Sequence, residues 1–525
     1  MKKFLTIVLL AALLVGCSEK KDVVILFDND VHCAVDLYSK MASVRDSLLQ
    51  QTPYVLVTSA GDFVQGDVIG SISQGEYIVD IMNAVPYDIV TIGNHEFDYG
   101  IEQQLVLTDR LEADEVCCNF THTDGSPVYP SYQIKRFGKT KVAFIGVATP
   151  TTYTSSTPAY FQDSTGHVIY DFHAGNTFAL LQQAADEVRR KGADYVVALS
   201  HLGDDTAIDC SPDMVRATTG IDAVLDGHAH HYIQWLIPNA DGDSIPLLST
   251  GARGERIGCL TLSESKGITY SFIEASNISR NARVDRVIEE KDKKVQETVN
   301  KVVGYGEVAL NDNDADGNRL VRLGETNLSD FVSDAMRWAT GADIGVIHGG
   351  SLRASLPEGD ITMGDMITLL PFNNHLAKVR MTGQELLDAF EVAVSRYPLE
   401  NGDFHIASGM RYCIDPAIAT SVEWDDNRMF LSVGKTRRIV SMEVEDAVTH
   451  RWTAIDPNAT YTVGGLDYTL LHQGSSWMFR YATPMECEKM KDTDVLFRYL
   501  HSLGDTIRAA DYPTKIIQPR FRTRE

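Results

Sequence analysis

The chain has 525 residues, of which 44% are hydrophobic and 23% are charged, and its formal net charge is −25. This composition is typical of globular domains, so it excludes a largely disordered or fibrous protein. The excess of acidic residues argues against an extended surface for binding nucleic acid polymers, because a phosphate backbone requires a basic surface. A small anionic substrate remains compatible with it, because a local cluster of metal ions or arginines can override the overall charge.

The N-terminus resembles a targeting segment. Lys2 and Lys3 precede an apolar run over residues 4–15, which is shorter than the about 20 residues that a membrane span needs. Gly16 and Cys17 follow, an order typical of a bacterial lipoprotein signal peptide and lipobox over residues 1–17. The sequence therefore predicts cleavage before Cys17, a lipid anchor on its thiol, and a mature protein at the bacterial cell envelope, periplasmic or surface-exposed. An ordinary signal peptide or a cytosolic N-terminus is the alternative.

Five short apolar runs in the N-terminal half each end in polar residues that can bind metals. The runs cover residues 23–27, 54–57, 89–92, 195–199 and 223–225. Runs of this length predict buried strands, and helical patterns such as residues 178–190 separate several of them. Strands that alternate with helices predict a layered α/β fold, whose functional site lies beyond the carboxyl ends of the strands.

A charged helical segment begins near residue 280, and its apolar stripe ends at Val302. This segment indicates a domain boundary. We predict a first domain over residues 22–280, a helical linker over residues 281–303 and a second mixed α/β domain over residues 304–525. The first helix of the second domain is predicted to begin near Thr326, a suitable N-cap, and to end before Gly341.

The polar residues after the five strands suit two neighbouring divalent ions. Asp30 and His32 can aim at one ion from the same loop, and Asp62 can bridge to the second. Asn94, His201 and His228 suit that second ion, and His230 returns to the first. Each residue alone is a weak signal, because a lone histidine is more often structural or on the surface. Imidazole and carboxylate ligands together favour Zn²⁺ or Mn²⁺.

This order of motifs resembles the calcineurin-like metallophosphoesterases, and the two-domain length resembles the bacterial 5′-nucleotidase and UDP-sugar hydrolase family. The resemblance implies a four-layer α/β sandwich followed by a second α/β domain that binds substrate. It implies that Asp30, His32, Asp62 and His230 hold one ion and that Asp62, Asn94, His201 and His228 hold the other. It also implies that His95 and Asp98 form the catalytic pair. Cys33 stands where the family usually has glycine, so the resemblance does not predict the geometry of that loop.

The second half resembles the family's substrate-binding domain. Arg322 precedes Glu-Thr-Asn, residues 348–353 end in Arg353, residues 370–374 contain Leu-Pro-Phe, and Tyr468 follows an aspartate. The resemblance implies that substrate is bound by Arg322, Arg353, Phe372, Asn374 and Tyr468, with Phe372 and Tyr468 stacking on the two faces of a base.

This half also departs from the family pattern. Residues 472–477 lack the acid that grips the ribose hydroxyls in the family, His348 replaces an asparagine, and Asn373 replaces a glycine. We therefore expect poor discrimination between ribose and deoxyribose.

The expected function is that of a metal-dependent 5′-nucleotidase acting on a small phosphoester. The alternatives are a 2′,3′-cyclic-nucleotide phosphodiesterase, a nucleotide-sugar pyrophosphatase, a hydrolase of a non-nucleotide ester, and a catalytically inactive lipoprotein that binds ligands at the cell surface.

Overall fold

A computed structural model of the chain describes residues 22–163, 167–204, 209–314, 317–425, 429–446, 448–517 and 519–524. The predicted signal peptide and Cys17 lie outside these ranges. Within them, no helix is both long enough and apolar enough to cross a membrane.

The N-terminal half is built from two large sheets. Its strands are β1 (Val23–Asp28), β2 (Val55–Ser59), β3 (Ile89–Val90), β4 (Asp114–Glu115), β5 (Thr121–His122), β6 (Tyr132–Phe137), β7 (Thr140–Ala148), β8 (Tyr170–Asp171), β9 (Tyr195–His201), β10 (Ala223–Asp226), β11 (Tyr232–Pro238), β12 (Ser244–Thr250), β13 (Arg256–Ser263) and β14 (Gly267–Glu274). Its helices are α1 (Asp36–Leu49), α2 (Val68–Ser73), α3 (Glu76–Ala84), α4 (Ile101–Arg110), α5 (Thr152–Ser155), α6 (Thr177–Arg190) and α7 (Ser211–Ala217). The strand orders are β14-β13-β1-β2-β3-β4 and β11-β12-β10-β9-β7-β6, and β5 pairs with β8.

Alternation of side chains along the strands arranges these elements in layers. On β1, Val23, Ile25 and Phe27 point into an apolar core between the two large sheets. Val24 and Leu26 point the other way and pack in a cluster with α1 and α3. Strand β9 alternates in the same manner between the inter-sheet core and a cluster with α6 and α7. The order helix, sheet, sheet, helix confirms the predicted four-layer α/β sandwich.

The charged helix that follows, α8 (Ala282–Val299), packs on this sandwich. Its buried residues Val284, Ile288 and Val295 belong to the same cluster as α1 and α3. The helix ends at Val299, and Val302 is an exposed residue of the next strand. Placing Val302 on the helical stripe was therefore wrong, because a valine at helical spacing fits the exposed face of a strand equally well.

The C-terminal half has its own mixed sheet. Its strands are β15 (Val302–Gly306), β16 (Ile344–His348), β17 (Gly359–Thr362), β18 (Leu376–Thr382), β19 (His405–Ser408), β20 (Met410–Ile414), β21 (Val422–Trp424), β22 (Phe430–Val433), β23 (Ile439–Glu445), β24 (Trp452–Ala454), β25 (Thr460–Leu466), β26 (Thr483–Met485), β27 (Thr506–Ile507) and β28 (Phe521–Thr523). Its helices are α9 (Asn327–Thr340), α10 (Met363–Leu369), α11 (Gly383–Ala393), α12 (Asp467–Leu470) and α13 (Asp492–Ser502). The strand orders are β19-β16-β25-β18-β26, β17-β15-β27 and β24-β23-β20-β28, with β21 paired to β22.

The five-stranded sheet of this half is covered on both faces. Helices α9, α10 and α13 pack on one face, and α11 with the four-stranded sheet packs on the other. Helix α9 begins as predicted, because the Thr326 side chain accepts a hydrogen bond from the Ser329 backbone in a capping box. It ends at Thr340, as predicted, and the left-handed backbone of Gly341 terminates it. These features confirm the predicted second α/β domain.

Candidate metal centre and active site

The predicted metal ligands lie on the loops that follow β1, β2, β3 and β10, except His201, which is the last residue of β9. Strands β1, β2 and β3 run parallel in one sheet, and β9 and β10 run parallel in the other, so their carboxyl ends open toward one region. The loop residues Asp30, His32, Asp62, His228 and His230 all have a left-handed backbone, with φ between 46° and 80°. Such conformations are unfavourable for residues other than glycine and cluster at functional sites.

Four of these side chains form one compact group of potential ligands. The ligand atoms of Asp30, His32, Asp62 and His230 all lie within 4.8 Å of one another. The Nε2 atoms of His32 and His230 are only 2.9 Å apart, and His230 Nε2 is 3.4 Å from Asp30 Oδ1. Two imidazole nitrogens and two carboxylates around one small volume suit a divalent cation.

A second group of potential ligands adjoins the first through Asp62. Its Oδ2 lies 3.1 Å from His201 Nε2 and 3.9 Å from His32 Nε2, so one carboxylate oxygen is near both groups. His228 Nδ1 is 2.9 Å from Asn94 Oδ1, and the rings of His201 and His228 are 5.3 Å apart. The structure thus brings together the residues that the sequence assigned to each ion, with Asp62 between them.

Backbone carbonyls fix the orientation of two histidine rings. His32 Nδ1 donates to the Gln65 carbonyl at 3.0 Å, and His201 Nδ1 donates to the Ala60 carbonyl at 2.6 Å. A carbonyl can only accept, so these bonds place a proton on Nδ1 of each ring and turn Nε2 toward the carboxylates. Burial lowers the pKa of His32 to about 3, although Asp62 opposes the shift. A neutral imidazole is the form that binds a metal.

Two buried residues that the sequence reasoning did not assign hold the ligand loops. Glu96 accepts hydrogen bonds from the backbone N–H groups of Asp62, Phe63 and Gly93 at 2.8, 2.8 and 2.6 Å. Asn29 donates from Nδ2 to Asp30 Oδ2 at 2.7 Å. The available signal for Glu96 was its place directly after Asn94 and His95 in the Gly-Asn-His-Glu run.

The loop around Cys33 accommodates its departure from the family pattern. Cys33 adopts φ of +62°, a conformation that glycine adopts without strain. Its thiol donates to the Val64 carbonyl at 3.2 Å. A Cβ on Gly70 would lie 2.5 Å from the Cys33 sulfur, so Gly70 leaves the space that the thiol occupies. A local compensation therefore retains the ligand loop.

His95 and Asp98 form a hydrogen-bonded pair beside the first ligand group. His95 Nδ1 lies 2.7 Å from Asp98 Oδ2, and the His95 ring is 5.2 Å from the His32 ring. Burial opposes protonation of His95, but the carboxylates of Asp98 and Asp62 raise its pKa to about 9. A cation bound by Asp62 would offset part of that rise. Asp98 therefore fixes the ring and leaves Nε2 available for hydrogen bonding.

A cavity of about 200 Å³ connects this pair with the second half of the chain. All five residues predicted to bind substrate line it, namely Arg322, Arg353, Phe372, Asn374 and Tyr468. Tyr160, His348 and Asp403 also line the cavity, and the sequence analysis had not assigned them to substrate binding. Tyr160 belongs to the first half of the chain and lies outside the metal-ligand motifs. Asp403 lies outside every recognised motif.

Contacts between the two halves border this cavity. The Ser71 hydroxyl donates to the Pro371 carbonyl at 3.1 Å, and Asn373 Nδ2 donates to the Ser71 carbonyl at 3.3 Å. Asn373 has φ of +55°, a left-handed conformation that asparagine tolerates better than most residues. The replacement of the family's glycine at this position therefore keeps the turn after Phe372 and adds a contact across the two halves.

The charged side chains in the cavity favour an anion at one end. In the described ranges, no carboxylate oxygen lies within 4 Å of the guanidinium groups of Arg322 or Arg353. Burial lowers the pKa of Arg322 to about 10, and the neighbouring Arg319 and Arg353 add to the shift. Arg353 also lies 5.6 Å from the centre of the Phe372 ring. Two arginines placed in this way fit a phosphate group.

The fold and this site resemble those of the calcineurin-like phosphoesterases. A family model described as calcineurin-like phosphoesterase matches residues 23–232, and a model described as the 5′-nucleotidase C-terminal domain matches residues 302–481. The first part of the chain thus matches the calcineurin-like phosphoesterases, and the second part matches the C-terminal domain of 5′-nucleotidases. These are metal-dependent phosphoester hydrolases, as the order of motifs predicted.

Known proteins of similar sequence and fold include nucleotidases. The trifunctional nucleotide phosphoesterase protein YfkN of Bacillus subtilis (strain 168) is 25% identical over 447 residues, which are 74% of this chain and 29% of YfkN. The chain thus spans less than a third of that relative. The 5′-nucleotidase of Bos taurus is 23% identical over 480 residues, or 78% of each protein. The structure of a 5′-nucleotidase precursor from Thermus thermophilus has a TM-score of 0.71 at 21% identity, covering 96% of this chain and 99% of that one, which shows a shared fold.

Proposed function

We propose that the protein hydrolyses nucleoside 5′-monophosphates to nucleoside and phosphate with two bound divalent ions. One observation carries this proposal. A single cavity contains His95 and Asp98 beside the potential metal ligands, the guanidinium groups of two arginines, and the rings of Phe372 and Tyr468. Metal ligands, cationic groups and aromatic rings are what a phosphate ester of a nucleoside requires.

The metal side supplies the electrophilic chemistry in this proposal. One ion would be held by Asp30, His32, Asp62 and His230, and the other by Asp62, Asn94, His201 and His228. Mixed nitrogen and oxygen donors suit Zn²⁺ or Mn²⁺. Ions bound here would act as Lewis acids toward the phosphoryl group and lower the pKa of an attacking water molecule.

The protein's own residues position the ester and balance its charge. Asp98 holds the Nδ1 proton of His95, so a protonated Nε2 can donate to a phosphoryl oxygen or to the leaving oxygen. Arg322 and Arg353 present planar guanidinium groups that bind phosphate oxygens. Phe372 and Tyr468 provide aromatic surface for the base, and stacking contributes ~1–3 kcal/mol per base. Asn374 lines the same cavity and can hydrogen-bond the substrate.

A substrate panel tests this function. Phosphate release should be measured for nucleoside monophosphates, 2′,3′-cyclic nucleotides, nucleotide sugars and sugar phosphates, with and without EDTA. We expect the highest kcat/KM for a nucleoside 5′-monophosphate and loss of turnover after chelation. Faster hydrolysis of a cyclic nucleotide or nucleotide sugar would favour that alternative. Turnover that is indifferent to EDTA would contradict the dimetal mechanism, and binding without turnover would favour the inactive lipoprotein.

We further propose that the mature protein is anchored to a bacterial membrane through a lipid on Cys17. The order of charged, apolar and small residues before Cys17 supports this assignment. Cys17→Ala should release a soluble form or leave an unprocessed precursor. Mass spectrometry that finds an unmodified Cys17 inside an intact N-terminus would contradict the anchor.

A further inference from the structure

The fold brings a carboxylate into the cavity where the sequence shows none. Asp403 lies on the loop before β19, far from Tyr468 along the chain, and it lines the same cavity. Its Oδ2 accepts a hydrogen bond from the Ser476 hydroxyl at 2.8 Å. Ser476 belongs to the stretch of residues 472–477 that lacks an acid. An acid from another loop therefore stands beside that stretch.

The loop that carries Asp403 is held on several sides. The Asp403 backbone N–H donates to Asn401 Oδ1 at 3.1 Å, and its carbonyl accepts from His405 Nδ1 at 2.6 Å. The carbonyl of Gly402 accepts from His348 Nδ1 at 3.1 Å. These bonds tie the loop to the end of β16 and the start of β19. The Asp403 carboxylate is therefore preorganised before a ligand arrives.

The carboxylate of Asp403 keeps capacity for a ligand. Within the described ranges, no nitrogen of a lysine, arginine or histidine side chain lies within 4 Å of its oxygens. Burial raises the pKa of Asp403, and the hydrogen bond from Ser476 opposes the rise. A carboxylate offers about four acceptor positions, so the hydrogen bond from Ser476 leaves room for ligand donors.

The chemistry of the cavity restricts which part of a nucleotide can reach this carboxylate. A negative group repels phosphate, which Arg322 and Arg353 attract. The flat surfaces of Phe372 and Tyr468 suit the base. Two neighbouring sugar hydroxyls, in contrast, can both donate hydrogen bonds to one carboxylate.

We propose that Asp403 binds the 2′ and 3′ hydroxyls of the ribose and so selects ribonucleotides over deoxyribonucleotides. This inference rests on the proposed function, because it requires a nucleotide in the cavity. It replaces the expectation of poor sugar discrimination, which considered only the residues that follow Tyr468. Hydrogen bonds to a charged carboxylate are roughly twice as strong as neutral ones, so the selection should be substantial.

Sugar-modified substrates test the proposal on the metal-loaded protein. The measurement is kcat/KM for AMP, 2′-deoxy-AMP and 2′,3′-dideoxy-AMP with the unaltered chain, Asp403→Asn and Asp511→Asn. Asp511 is an exposed aspartate of the same half outside the cavity, so its variant is a matched control. We expect the unaltered chain and the control to prefer AMP over dideoxy-AMP by at least about tenfold. Asp403→Asn should reduce this preference to less than about threefold. Because each ratio is taken within one protein sample, a variant that folds incompletely does not change it.

The outcomes separate this inference from the proposed function. An unchanged ratio in Asp403→Asn, with AMP still hydrolysed, would overturn the role of Asp403 and leave the nucleotidase function standing. A loss that depends on the base and not on the sugar would also overturn it. An unaltered chain that hydrolyses p-nitrophenyl phosphate but no nucleotide would overturn both.

Discussion

The two sides of the cleft are constructed differently. On the metal side, the functional side chains stand at the ends of strands or on the loops that directly follow them, and buried groups such as Glu96 fix those loops. On the substrate side, they come from separate loops and short helices. Arg322 ends a short 3₁₀ helix, Tyr468 lies in α12, and Asp403 precedes β19. Metal coordination requires fixed geometry from particular atoms, whereas a hydroxyl can be held by a carboxylate from any nearby loop. The second side can therefore change its residues more freely.

Substitutions in the two sides illustrate this difference. On the metal side, the thiol of Cys33 fits beside Gly70, which provides the space for it. On the substrate side, Asn373 adopts a left-handed backbone, and Asp403 accepts a hydrogen bond from Ser476 in the stretch that lacks an acid. If the metal side is rigid and the substrate side adaptable, substitutions on the two sides should differ in their effects.

The largest effect should come from Asp62→Ala. Its carboxylate is the group near both sets of potential ligands, so its loss should remove the bridge and abolish turnover. Metal analysis of the purified protein should show up to two divalent ions per chain, with fewer in the variant. Asp243→Ala, on an exposed loop, is the matched control. Full activity in Asp62→Ala would refute the shared ligand.

His95→Asn should lower kcat by about 10²–10⁴-fold, the usual contribution of a general acid. Asp98→Asn should cause a smaller loss of about 10–100-fold, because it disturbs only the orientation of the ring. Metal content should stay unchanged in both variants, which distinguishes them from loss of a ligand. If His95→Asn were fully active, the proposed proton donor would have to be another group.

Glu96→Gln should weaken metal binding by about 10–100-fold without removing a ligand. The new amide group would face backbone N–H groups that now donate to a carboxylate, at a cost of about 1–3 kcal/mol in the free energy of unfolding. Chemical denaturation and metal titration measure the two effects. The exposed Glu112→Gln is the control, and equal behaviour of the two variants would show that Glu96 does not hold the loops.

On the substrate side, the effect should depend on the substrate. Phe372→Ala should lower kcat/KM for AMP by about 5–150-fold, which corresponds to the ~1–3 kcal/mol of one stacked base. The loss for p-nitrophenyl phosphate should be much smaller, and Phe372→Tyr should retain most of the efficiency for AMP because it keeps an aromatic ring. Equal losses for both substrates would mean that Phe372 is not a platform for the base.

The predicted strands, helix α9 and the ligand loops follow from local signals. Apolar runs of about five residues bounded by polar residues favour buried strands, and Thr326 and Gly341 provide the caps of α9 from their own side chain and backbone. Val302 shows the limit of such signals, since helical spacing alone did not distinguish a helix from the strand that follows it. The cavity residues Tyr160 and Asp403 are a second kind of limit, because no motif surrounds them.

The sequence by itself determined the α/β class, the order of the metal-binding residues and the pairing of His95 with Asp98, because each depends on neighbours along the chain or on the ends of strands. Only the tertiary structure decided that Glu96 holds two ligand loops, that both halves contribute to one cavity, and that Asp403 stands beside Ser476. The contacts of Glu96 and Asp403 join residues that are 34 and 73 positions apart, and the cavity joins two domains. Their geometry depends on how the sheets and helices pack, and residue spacing along the chain carries no record of it.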